Sequence, residues 1–148
     1  MTLFFPDLNV WLALSDIGHM HSSAAWNWLK ALPSDRRLIF SRFTQIGLLR
    51  LLSNPAVMGD QTLTLRKAWG VYDRWLEEPY VEFYPEPRSI EATFRQTTEQ
   101  FSSRQASKRV GDCWLLAFAA EIGATLVTFD QALNDFARKR GRTVIVPA

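Results

Sequence analysis

A chain of 148 residues is long enough for one domain with a substantial core, and 47% hydrophobic against 22% charged residues excludes a disordered or fibrous protein. A net charge of +2 is too small to name a polyanionic partner by itself, so any nucleic-acid reading must rest on local basic patches. The lone cysteine, Cys113, excludes a disulfide framework within the chain, and no apolar run approaches the ~20 residues of a membrane span. Asp7 interrupts the apolar start and no basic stretch precedes it, so a signal peptide is not expected, and the expected setting is cytoplasmic with no membrane partner. No linker or repeat divides the chain, so residues 1–148 are read as a single domain.

Thr2 to Phe5 reads as a buried first strand. Pro6-Asp7-Leu8-Asn9 turns it into a helix carrying Val10, Trp11 and Leu14, with Asp7 placed as its N-cap and Gly18 at its end. A second helix runs from about His21 to Leu32, with Ala25, Trp28, Leu29 and Leu32 on one face. After the turn at Pro33-Ser34-Asp35, Arg37 to Ser41 is a second strand. Phe43, Ile46, Leu49 and Leu52 recur at helical spacing, and Asn54-Pro55 closes that helix. Gly59-Asp60 opens a loop.

Leu65, Ala68, Trp69, Tyr72 and Leu76 mark the inner face of a long amphipathic helix. Trp69, Tyr72 and Trp75 on it suit the core, or a stacking or partner surface if exposed. Val81 to Tyr84 is a third strand, ended by Pro85-Glu86-Pro87. Ile90, Phe94 and Phe101 face one way on a further helix, and Ser102 to Arg109 is a loop or frayed end. The run from Cys113 to Ala120 is a buried helix in which Cys113 is a small core residue. Gly123 sits at its C′ position, and Ala124 to Thr128 is a buried strand. After Asp130 come a helix from Ala132 to Lys139, Gly141, and a last strand at Thr143 to Val146. Strands alternating with helices of this length predict an α/β fold with a mostly parallel sheet of about five short strands.

In such sheets, sites form outside the carboxyl ends of the strands. Asp7 follows the first strand, Asp130 follows the strand after the buried helix, and Asp112 opens that helix. Two carboxylates ~4 Å apart repel by about 4 kcal/mol at an effective dielectric near 20, so a cluster of them takes up protons or binds a cation. An oxygen-only donor set suits Mg²⁺ or Mn²⁺, and such an ion activates water for attack on a phosphodiester. The acids also have plainer uses: Asp7 and Asp130 as helix caps worth ~1 kcal/mol each, and Asp112 as complement to a helix dipole. An Asp7 nucleophile accepting a phosphoryl group is conceivable, but Asn9 stands where a second acid would be wanted.

Basic residues Arg104, Lys108 and Arg109 precede Asp112 and could hold RNA phosphates. A second group, Arg138, Lys139, Arg140 and Arg142, most simply balances a helix C-terminus. His19 and His21 are the only histidines, and no further ligand set accompanies them.

Four segments, taken in order, resemble PIN-domain ribonucleases, and in particular the toxin half of VapBC toxin–antitoxin pairs. They are Pro6-Asp7-Leu8-Asn9-Val10-Trp11-Leu12, Thr44-Gln45-Ile46-Gly47-Leu48-Leu49-Arg50 with Ser53-Asn54-Pro55, Asp112-Cys113-Trp114-Leu115-Leu116-Ala117, and Leu126-Val127-Thr128-Phe129-Asp130. The resemblance implies a three-layer α/β/α PIN-like domain, Mg²⁺- or Mn²⁺-dependent cleavage of RNA such as tRNA, inhibition by a cognate antitoxin, and a homodimer. It implies Asp7, Asp112 and Asp130 as metal ligands, with Thr128 orienting them and Asn9 in support. Many such nucleases carry a Glu in the helix of Phe43 to Ser53, where this chain has Gly47. Position 132, where some have another acid, is Ala, and Asp135 lies a turn further on. A weakly catalytic relative that binds RNA or protein is the alternative.

Overall fold

The structure, a computed structural model, describes residues 1–139 and the backbone of 144–145. Strands β1 (Thr2–Pro6), β2 (Arg36–Phe40), β3 (Val81–Phe83), β4 (Thr125–Val127) and β5 (Val144–Ile145) form one sheet in the order β3-β2-β1-β4-β5. All four neighbouring pairs are parallel. Between them run helices α1 (Leu8–Ser15), α2 (Ser22–Lys30), α3 (Arg42–Leu52), α4 (Pro55–Met58), α5 (Leu65–Glu77), α6 (Ile90–Thr98), α7 (Val110–Ile122) and α8 (Gln131–Lys139). Arg140, Gly141, Arg142 and the remainder of the last predicted strand lie outside the described residues.

Side chains alternate across a strand, so a sheet with helices on both faces needs apolar residues on both. Phe4, Leu38, Phe40 and Val127 point to one core, built with α1, α2, α3 and α5. Phe5, Ile39 and Leu126 point to the other, built with α6, α7 and α8. The result is a three-layer α/β/α sandwich. The Trp11 indole, fully buried, stacks on Phe40 with ring centroids 3.8 Å apart and meets Trp75 edge-on at 5.3 Å, which fastens α1 to β2 and α5.

Two helix faces differ from their sequence-based assignment. In α3 the inward side is Thr44, Gln45, Leu48, Leu49 and Leu52, while Phe43 and Ile46 are exposed. In α5 Ala68, Tyr72 and Trp75 are buried, while Leu65, Trp69 and Leu76 face out. Each helix has two apolar stripes, and neighbouring elements, not periodicity, decide which one is covered. Phe101 also leaves the helix assigned to it. Helix α6 ends at Thr98, and Phe101 closes a separate 3₁₀ turn, Glu99–Phe101, from which its ring still packs on the second core. Asn54-Pro55 does more than end α3: the Asn54 carboxamide accepts from the Ala56 amide at 3.0 Å and starts α4 with Pro55 at its first position.

Candidate active site

The sheet order places a crevice between β1 and β4. From β1 the chain moves to β2 on one side; from β4 it moves to β5 on the other. The connections therefore part at the carboxyl ends of two adjacent strands, which is where open parallel sheets form sites. Asp7 and Thr128 lie at those two ends, joined by a backbone hydrogen bond from the Asp7 amide to the Val127 carbonyl at 2.9 Å.

Asp7 caps α1: one carboxylate oxygen accepts from the Val10 amide at 3.1 Å, and the Asn9 amide also stabilises its charge. The other oxygen accepts from the Thr128 hydroxyl. That hydroxyl accepts in turn from the Asp130 amide at 3.0 Å, so its proton is directed at Asp7. Asp130 caps α8, its carboxylate accepting from the Ala132 and Leu133 amides at 2.9 and 3.2 Å. The capping roles read from the sequence are thus real for both acids, and they are the means by which the two carboxylates are held at the crevice. Asn9 contributes its backbone, and its side chain is exposed.

Asp112 arrives from the second face of the sheet. Helix α7 runs antiparallel to β4, reversed at Gly123, whose φ of 69° is in the left-handed region where glycine carries no penalty. The eleven residues from Asp112 to Ile122 rise about 15 Å, comparable to the extended run from Ala124 to Thr128 through β4, so the start of α7 returns to the strand's carboxyl end. There Asp112 is half-buried and pairs with the Arg109 guanidinium at 3.4 Å.

The electrostatics show one neighbourhood. Burial raises the Asp7 carboxyl from the ordinary 3.8 to about 6, against the lowering effect of Thr128 and the two amides, and the charge of Asp130 adds to the rise. Burial also raises Asp112; Asp130 again adds to it, and Arg109 opposes it. Asp130 therefore lies within electrostatic reach of both other acids.

Among the described residues no group of three His, Cys, Asp or Glu side chains is placed to hold a metal ion. The donor set nevertheless fits a hard divalent cation that keeps several waters: it is all oxygen, it carries excess negative charge, and Asp7 is buried without a cationic partner among its interactions. Gly47 has no side chain to contribute, and the space beside it is taken by a neighbour. A Cβ there would stand 2.1 Å from a methyl of Leu8, which fills the space above it. The room left by this glycine belongs to a neighbour in α1.

Of the basic residues, Arg104 and Arg109 line a cleft of about 470 Å³ beside α8, together with Lys139 and Asp135. Lys139 belongs to the basic group whose simplest use is the helix terminus, with RNA contact the lesser reading; its place in this cleft depends on tertiary packing that no local pattern announces. Arg104 and Arg109 also line a second cleft of about 560 Å³ between α6 and α7, while Lys108 is exposed and lines neither. His21 stacks on Phe129 at 4.4 Å, and its amide donates to the His19 ring at 3.0 Å, so this pair buttresses the end of β4.

Residues 4–139 match the family described as PIN domain. The chain is 38% identical over 136 residues to Ribonuclease VapC41 of Mycobacterium tuberculosis, covering 88% of this chain and 90% of that protein. Its fold resembles the VapBC2 complex from Rickettsia felis bound to a DNA fragment from its promoter, with a TM-score of 0.73 at 13% identity and coverage of 99% and 100%. It also resembles Mycobacterium tuberculosis VapC20, a sarcin-ricin loop cleaving toxin, with a TM-score of 0.66 at 17% identity and coverage of 89% and 93%.

Proposed function

The chain belongs to the PIN-domain family, and from that premise we propose that it is a metal-dependent endoribonuclease toxin, neutralised by a cognate antitoxin protein and acting on structured RNA such as tRNA. The observation that supports this reading is that Asp130, at the end of β4, lies within electrostatic reach of both Asp7 and Asp112, with each acid held by hydrogen bonds or an ion pair. The names of the relatives support ribonuclease activity and an antitoxin partner.

Asp7, Asp112 and Asp130 would hold Mg²⁺ or Mn²⁺. When bound, the ion supplies an activated water and offsets charge developing on the phosphate. The chain's own residues do the rest. Thr128 keeps Asp7 an acceptor by aiming its proton at it. Arg109 holds the Asp112 carboxylate in position, and with Arg104 and Lys108 it offers positive charge to RNA phosphates. Purified protein incubated with RNA and Mn²⁺ is expected to cut. EDTA, Asp7→Asn or Asp112→Asn is expected to reduce cutting at least about a hundredfold, and cleavage that survives both substitutions removes these acids from the mechanism.

The alternative is a PIN-like module that binds RNA or protein with little catalysis, and the absence of an acid at Gly47, over which the Leu8 side chain packs, favours it. The two readings separate on metal binding. A thermal shift with millimolar Mn²⁺ is expected for the nuclease and not for the module.

A further inference from the structure

The cleft beside α8 is built as a channel with charge along its length. One wall is the segment from Gln100 to Arg109, and the other is the face of α8 that carries Ala132, Asp135 and Lys139. The Phe101 and Phe136 rings, which belong to the core beneath it, stack at 5.4 Å with planes 13° apart and tie the two walls together. The cations on the first wall are set by turns: the Arg104 amide donates to the Phe101 carbonyl at 2.9 Å, its guanidinium lies 6.0 Å from the Phe101 ring, and the Arg109 amide donates to Ala106 at 2.9 Å.

Two residues of the cleft's lining also touch the acids. Arg109 pairs with Asp112, and the Ala132 amide donates to Asp130. Lys139 stands two helical turns further on, about 10 Å along α8 from Ala132. Among the described residues the lining carries Arg104, Lys139 and the Asp112-paired Arg109 against one acid, Asp135, which favours a polyanion, and their spread along the cleft suits a chain of phosphates better than a single anion.

We propose that this cleft is the track of an RNA strand leading away from the acids, its phosphates gripped by Arg104, Arg109 and Lys139. This rests on the ribonuclease reading for the identity of the polyanion. Lys139 is a binding residue that touches the strand away from the reacting phosphate, and Asp135 limits the affinity of the track.

The test is binding of a fluorescently labelled single-stranded oligoribonucleotide in EDTA, followed by anisotropy at several salt concentrations. Lys139→Ala and Arg104→Ala are each expected to weaken binding about three- to tenfold and to lower the salt slope by about one, with Asp135→Asn tightening it. Arg66→Ala, at an exposed position of α5, is the control and is expected to change neither. Lys139→Ala and Arg104→Ala indistinguishable from this control, with wild type still cutting RNA, would overturn the track and leave the nuclease reading intact. The expected pattern in a protein that cuts nothing would keep the track and remove the nuclease. An acidic peptide that displaces RNA and shows the same loss with both variants would assign the cleft to a protein segment and overturn the proposal, as would failure of wild type to bind RNA.

Discussion

Asp7 is a residue whose use costs stability. Its carboxyl is raised from 3.8 to about 6, so a proton binds the folded chain more tightly than the unfolded one. The protonated form is therefore the stabilising one. Its contribution is fully present below 3.8 and is lost as the pH climbs through 6. At about 1.4 kcal/mol for each tenfold in proton affinity, the shift is worth about 3 kcal/mol. With EDTA present, wild type is expected to lose stability between pH 4.5 and 7.5 by an amount of that order through this group. Asp7→Asn keeps the cap and a donor–acceptor pairing with Thr128, so it is expected to be more stable than wild type at pH 7.5 and to show less of this pH dependence. Urea denaturation at the two pH values measures both.

Gly47 makes the opposite kind of argument. Its Cβ-free surface receives Leu8, so Gly47→Glu is expected to destabilise by about 1–3 kcal/mol, and adding Leu8→Ala is expected to recover part of that loss. Non-additivity in that double-mutant cycle, read from denaturation midpoints, measures the contact. The missing acid was visible in the sequence; the side chain that occupies its place was not, because residues 8 and 47 meet only through packing of α1 on α3.

Among the elements, the α7–Gly123–β4 unit positions Asp112 relative to Asp130. Gly123→Ala places a Cβ at a φ of 69° and is expected to cost about 1 kcal/mol, with RNA cutting reduced less than by Asp112→Asn, since no donor is lost. Comparing the denaturation midpoint with the cleavage rate separates the two effects. This unit was legible in the sequence because its signals are local: an Ala-rich run, a stop glycine, a β-branched run and a capping acid. The faces of α3 and α5 were not. Phe43 and Ile46, or Leu65 and Leu76, are as apolar as the residues that are buried, and α1, α2 and the sheet decide between the stripes. Lys139 shows the same limit at the site, because a terminal cation becomes part of a cleft only when the Phe101 turn stacks against α8.

At the scale of the molecule, sheet order does the assembling. The order β3-β2-β1-β4-β5 sets Asp7 and Asp130 on diverging connections and lets α7 deliver Asp112 from the other face. Alternating strands and helices predicted the parallel sheet, and the general tendency of such sheets predicted which edge to examine; strand order itself comes from long-range pairing that no single segment encodes. The most direct test of convergence is Mn²⁺ affinity by calorimetry on wild type, Asp7→Asn and Asp112→Asn. The account predicts binding to wild type that either substitution weakens by about tenfold or more. Wild-type affinity in the Asp112→Asn protein, with loss only in Asp7→Asn, would contradict it.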